Sequence, residues 1–94
     1  MVLYVDDMRV RATVRGYRTR WSHLYADSSQ ELLAFARVIG LRADWIQQAG
    51  TPFEHFDVAE SKRQAAVAAG ANPISCVQTG VLLAHRVAAL RVTA

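Results

Sequence analysis

The run Val2-Leu3-Tyr4-Val5 stops abruptly at Asp6-Asp7, and no other junction in the chain constrains its fold as tightly. A short β-branched and aromatic stretch without polar alternation fits the buried first strand of a parallel sheet, with the aspartates marking its C-terminal end. From Met8 to Ala26 the pattern loosens. Val10, Ala12 and Val14 alternate with Arg11, Thr13 and Arg15; after Gly16, Tyr17, Thr19 and Trp21 alternate with Arg18, Arg20 and Ser22. Two period-2 runs around Arg15-Gly16 read as a hairpin or an ordered loop.

Helical and strand-like patterns then take turns. Ser28 with Glu31 three residues later is a capping box, Leu32, Leu33, Phe35, Ala36 and Ile39 repeat at helical spacing, and Gly40 supplies the stop. Leu41 to Gln48 predicts a second strand of about four residues centred on Trp45 and Ile46. Asp57 and Glu60 form another box-like start, with Asp57 as N-cap of an alanine-rich helix from Val58 to Ala69 that ends at Gly70. Ile74 to Val77 predicts a third strand. Thr79 caps a last helix running to Ala94, with Val81, Leu82, Ala84, His85, Ala88 and Ala89 on its apolar face.

This alternation predicts one α/β domain over residues 1–94: a small two- or three-layer domain with a roughly three-stranded, mainly parallel sheet, three helices and an arginine-rich hairpin. Ligands of open α/β sheets bind beyond the C-terminal strand ends, where helix N-termini converge. Asp6, Asp7, the loop of Glu54, His55 and Asp57, and Gln78 with Thr79 fall on that edge.

Composition narrows the class. With 94 residues, 52% apolar and 20% charged, the chain has globular usage and none of the hydrophobic poverty of disorder. Cys76 is the only cysteine, which excludes an intrachain disulfide, and its neighbours Ile74 and Val77 predict a buried, unreactive thiol. The N-terminus lacks a basic n-region, and no stretch approaches the roughly 18 apolar residues of a membrane span, so the expectation is a cytoplasmic protein without a membrane partner. Formal charge is only +3, yet Arg9, Arg11, Arg15, Arg18 and Arg20 lie close together as a cationic arm.

Three clusters can carry chemistry. Asp6 and Asp7 at a strand end, with Asp27, suit a hard divalent cation such as Mg²⁺ or Mn²⁺; the bland alternative is a turn cap beside a solvated carboxylate. In His55-Phe56-Asp57, the cap role consumes Asp57, whereas His55 is free to act as general acid or base, or to be a plain surface histidine. In Trp21-Ser22-His23-Leu24, Ser22 and His23 point to opposite faces of an extended segment and cannot pair, and no glycine-framed nucleophile elbow is present. His23 is then a metal ligand or a hydrogen-bonded strut. The arm arginines, notably Arg9 and Arg20 with Trp21 beside them, grip phosphate on a nucleic acid or a small molecule, or form a solvated face. His85 reads as a core-edge histidine.

Taken together, Tyr4-Val5-Asp6-Asp7, Trp21-Ser22-His23-Leu24 with Asp27, the helix bearing Leu33, Phe35, Ala36 and Gly40-Leu41, then His55-Phe56-Asp57, Ser61-Lys62-Arg63 and Gly70-Ala71 resemble a family of small actinobacterial and phage proteins known as domain of unknown function four thousand and thirty-one. The resemblance runs to about Val77 and leaves the last helix largely outside. Relatives often carry Tyr at the position of Phe56, so this chain keeps the ring and lacks the hydroxyl. The resemblance implies no activity. It implies only that these clusters are the ones to test.

The expected function is a small metal-dependent or acid-base hydrolase acting on a phosphate-containing substrate, a nucleotide or nucleic acid. Asp6, Asp7, His23 and Asp27 hold the ion or orient water, His55 moves the proton, and Lys62, Arg63 or an arm arginine steadies phosphate. The rival is a non-catalytic phage or bacterial accessory module that binds a nucleotide, nucleic acid or partner protein. A third reading makes the chain a subunit of a homo-oligomer, joined through a sheet edge or the alanine-rich helix faces.

Overall fold

The computed structural model describes residues 2–93, and side chains for residues 2–91. In chain order the elements are β1 (Leu3–Val5), β2 (Val10–Val14), β3 (Tyr17–Ala26), α1 (Ser29–Val38), a 3-10 turn (Ala43–Trp45), β4 (Phe56–Ala59), α2 (Glu60–Ala68), β5 (Asn72–Pro73) and α3 (Cys76–Thr93). The α/β class is as expected; the parallel sheet is not. Of the four strand pairings among the described residues only β1 with β5 is parallel, while β3 pairs antiparallel with β1, β2 and β4.

Register explains the arrangement. Leu24 is opposite both Val5 and Phe56, and Trp21 is opposite both Val10 and Ala59. A strand has two edges, so β1 and β2 lie end to end along one edge of β3 and β4 occupies the other. Between β1 and β2, the four residues Asp6 to Arg9 span only Ser22 and His23. This is an enlarged β-bulge, with Arg9 at a positive φ of 48°. The hairpin expected around Arg15-Gly16 is present as β2 and β3.

Alternation along the strands sends Leu3, Val5, Leu24, Ala26, Phe56 and Val58 to one face. There they join Leu32, Phe35, Ala36 and Ile39 of α1 and Ala66 of α2 in the core. Phe56, Leu24 and Leu32 are fully buried, and each such side chain contributes about 1.5–3 kcal/mol of transfer free energy. Both α1 and α2 close with the same device. The Gly40 and Gly70 amides donate to Arg37 and Val67, and the Leu41 and Ala71 amides reach back to Ala36 and Ala66. These are Schellman caps that need positive φ at the glycine, 81° and 108° here. α3 meets the opposite sheet face, where the Arg86 guanidinium lies 6.0 Å from the Tyr25 ring and donates to the Ala26 carbonyl.

Several local expectations are corrected. The second strand expected around Trp45 is a 3-10 turn, in which Trp45 and Ile46 pack on the core without a pairing partner. Asp57 is not an N-cap: residues 56–59 form β4, and α2 starts after Ala59 with no side-chain cap. The strand expected at Ile74 to Val77 is displaced to Asn72-Pro73, because Ser75 and Gln78 form a reciprocal capping box that starts α3 ahead of Thr79 (Ser75 N to Gln78 Oε1 2.8 Å, Gln78 N to Ser75 Oγ 3.1 Å). Cys76 is exposed rather than buried, as is His85. At α1 the Ser28 hydroxyl accepts from the Glu31 amide as expected, but Glu31 accepts from the Val2 amide instead of closing the box. Ala94, the expected end of the last helix, lies outside the described residues. No helix among them is long and apolar enough to cross a membrane.

Candidate metal centre

The register that builds the core also builds a polar lattice on the opposite face. His23 stands across from Asp57 of β4. On its other side the Asp6 amide donates to the His23 carbonyl at 3.0 Å, which extends the β1 pairing by one residue. Asp6, His23 and Asp57 therefore form one cross-strand row. One step along, Tyr4 pairs with Tyr25, and His55, two residues before Asp57, lies beside them with its ring centroid 5.6 Å from that of Tyr25. Neighbouring strands are about 4.8 Å apart, so such rows bring side chains into direct contact.

Each histidine is anchored through Nδ1. The ring of His23 meets Asp6 Oδ2 at 2.8 Å, while Asp6 Oδ1 accepts from the amides of His23 (2.9 Å) and Met8 (3.2 Å). Asp6 is only 1% exposed, so its carboxylate is a fixed strut. The Nδ1 of His55 lies 2.7 Å from the Phe53 carbonyl. A carbonyl can only accept, so this nitrogen carries the proton and the Nε2 lone pair is free in the neutral ring. The loop that sets this geometry is held by Glu54, which accepts from the Ser29 hydroxyl (2.6 Å) and the Gly50 amide (2.9 Å). Reciprocal backbone bonds between Gln47 and His55 close its base.

Both Nε2 atoms turn toward Asp57 Oδ1, at 3.7 Å from His23 and 3.4 Å from His55, with the imidazoles edge-on at 5.0 Å. The three ligand atoms lie within 4.8 Å of one another. Metal bonds of about 2.0–2.2 Å place tetrahedral neighbours roughly 3.3–3.6 Å apart, close to the two distances that Asp57 Oδ1 makes with the imidazoles. Two imidazoles and a carboxylate favour Zn²⁺, Mn²⁺ or Fe²⁺ over Mg²⁺.

Electrostatics follow the geometry. Burial alone lowers the His55 pKa, but the close Asp57 carboxylate, the Phe53 carbonyl and the Asp6 charge outweigh it, so the net direction is upward. His55 in turn holds Asp57 below the usual carboxylate range against an opposing burial effect, with help from the charges of His23 and Arg15. Burial and the Asp6 charge push Tyr25 up to about 12, so its phenol stays protonated.

The other expected site residues have separate places. Asp7 accepts from the amide and thiol of Cys76 at the start of α3 (3.0 and 3.2 Å), and Asp27 accepts from the Tyr4 hydroxyl at 3.1 Å. Neither contact touches the histidine pair. The guanidinium of Arg63 donates to the Asp6 carbonyl, Lys62 donates to the Ile39 carbonyl at the end of α1, and Arg9 pairs with Glu60 at 3.3 Å. Arg20 lies on the sheet face away from His23. Trp21 lies on the histidine face and lines a slot of about 250 Å³ with Trp45, Tyr17, Arg15 and Asp57.

Sequence reasoning set Glu54 and Asp57 on the ligand-binding edge but took Asp57 for a helix cap, gave Glu54 no role as a brace, and read Arg15 only as part of the cationic arm. A signal was present. Phe56-Asp57-Val58 alternates at period 2, and read as a strand it puts His55 and Asp57 on one face.

No curated protein and no solved structure matches the chain. A family model described as protein of unknown function (DUF4031) matches residues 3–86, which takes in α3 as far as Arg86 and extends past the Val77 limit expected from the motifs alone. The chain belongs to that family.

Proposed function

We propose that the protein is a small metal-dependent hydrolase acting on a phosphate-containing substrate. One observation carries this reading: the Nε2 atoms of His23 and His55 converge on Asp57 Oδ1 while the Nδ1 atom of each ring is anchored from behind. Acceptors behind metal-binding histidines fix the tautomer and raise the basicity of the ligating nitrogen. Asp6 has that role for His23, and the Phe53 carbonyl for His55. Three protein ligands leave coordination positions open, and a bound divalent ion there would supply an activated water and polarise a phosphoryl oxygen. Arg15, whose guanidinium lies 4.3 Å from the Trp45 ring centroid and 5.7 Å from that of Trp21, lines the adjoining slot together with Lys62 and would meet substrate phosphate.

The test is titration of the purified protein with Zn²⁺, Mn²⁺, Fe²⁺ and Mg²⁺, followed by thermal shift and by turnover of phosphomonoesters, phosphodiesters and nucleotides. Stabilisation by a transition ion with metal-dependent product is expected. Asp6→Asn separates positioning from folding, since the amide retains an oxygen for the two backbone donors and presents an NH₂ group to His23 Nδ1. That clash favours the other tautomer and removes the ligating lone pair. Metal affinity should fall about 10–100-fold with the metal-free melting temperature little changed. Absence of any shift with all four ions overturns the metal site. Metal binding without turnover overturns the hydrolase and leaves a binding module.

A further inference from the structure

The sheet face opposite His23 is cationic along the hairpin. Side chains alternate along β2 and β3, which places Arg9, Arg11, Arg18 and Arg20 around one open groove of about 850 Å³ whose only acidic lining residue is Glu60. Register sets Arg11 directly opposite Arg20 and Thr13 opposite Arg18. Like charges facing each other across a ladder destabilise it. Glu60 meets Arg9; among the described residues no carboxylate lies within ion-pair reach of Arg11, Arg18 or Arg20. The fold therefore holds three exposed guanidinium groups together without an internal counterion.

We infer that this groove docks the phosphate backbone of a nucleic acid. Every cation of the hairpin is arginine, the side chain whose planar fork grips phosphate oxygens bidentately. Same-face neighbours on one strand are about 6.8 Å apart, and partners across the ladder about 5 Å, so the groove presents a two-rowed array to a run of phosphates. The groove is otherwise lined by Ala12, Thr13 and Thr19, with no large apolar side chain to enter a lipid surface. Contacts of this kind are sequence-blind and salt-dependent. The inference stands independently of the metal centre, which lies across the sheet.

The experiment is fluorescence anisotropy of labelled single-stranded and duplex oligonucleotides against the full chain over a salt series, repeated with Arg18→Gln/Arg20→Gln and with His55→Ala. Binding should weaken steeply with salt, and the double substitution should reduce the log-log salt slope by about 2, close to one for each phosphate that the two arginines neutralise. His55→Ala should leave the slope unchanged, which separates failure of this surface from failure of the metal centre. Circular dichroism of the double variant verifies that the hairpin remains folded. No binding at low salt, an unchanged slope in the double variant, or binding to anionic vesicles in place of oligonucleotides overturns the inference.

Discussion

His55 and Asp57 show how a pair of side chains can set a pH window. The raised pKa of His55 means that the folded protein holds this proton more tightly than an unfolded chain titrating near 6.5. Its contribution to stability is therefore complete below about pH 6.5 and is lost as pH rises through the folded value. Asp57 is lowered from an ordinary value of 3.8, so its contribution is present above that pH and is lost as pH falls through the folded value. For metal-free protein the two overlap between about pH 4 and 6.5. The difference in urea midpoint between wild type and His55→Ala, measured with chelator across pH 4 to 9, should be greatest in that window and shrink toward alkaline pH. A constant difference would show that the pair contributes by packing alone. Legibility at this scale was uneven. Asp6 and the two histidines stood out as polar residues that packing does not demand, while Asp57 was hidden because a carboxylate three residues before Glu60 has the same spacing as a helix cap.

Elements were legible where capping and periodicity agree. α1 has Ser28 in front and Gly40 behind, and the structure keeps both. The region from Ile74 to Val77 set two local signals against each other: its apolar, partly β-branched composition favours a strand, and the Ser75/Gln78 spacing favours a helix start. The box prevails because it satisfies helix N-terminal donors that a two-residue pairing of β5 with β1 would leave open. Asp7 adds an acceptor for the Cys76 amide, so the end of β1 and the start of α3 form one unit. Ser75→Ala should cost about 1 kcal/mol, with hydrogen exchange of the Val77, Gln78 and Thr79 amides accelerated while core amides such as Leu24 follow only the global loss. Ser75→Thr should restore most of the protection. Equal acceleration at all sites would mean that α3 opens only with the whole protein.

The parallel sheet was the expectation that failed furthest, because strand direction is fixed by pairings between distant segments and not by any local pattern. The β2–β3 hairpin returns β3 antiparallel beside β1, which already makes the sheet mostly antiparallel; β4, an expected helix start, then takes the other edge of β3 and brings His55 and Asp57 beside His23. The resulting molecule has helices α1 and α2 over one face of the body, an acidic and histidine-rich patch on the other, and a hairpin arm reaching beyond both. Val10, Arg11, Ala12, Thr13, Tyr17 and Arg18 are exposed along this arm, so its attachment depends on few contacts. Arg15 at its tip folds back over Trp45 and Trp21, and the Trp21 indole donates to the Ala12 carbonyl at 3.0 Å. A cation-π contact of this partly exposed kind contributes about 0.5–2 kcal/mol. That is a small share of global stability, but a large share of what holds a two-stranded tip. Arg15→Ala should therefore shift the global unfolding midpoint little while hydrogen exchange of the Thr13, Val14 and Tyr17 amides rises several-fold. It should also alter the emission of both tryptophans, since each loses the same guanidinium. Unchanged exchange at the tip would mean that the β2 and β3 ladder holds the arm without Arg15.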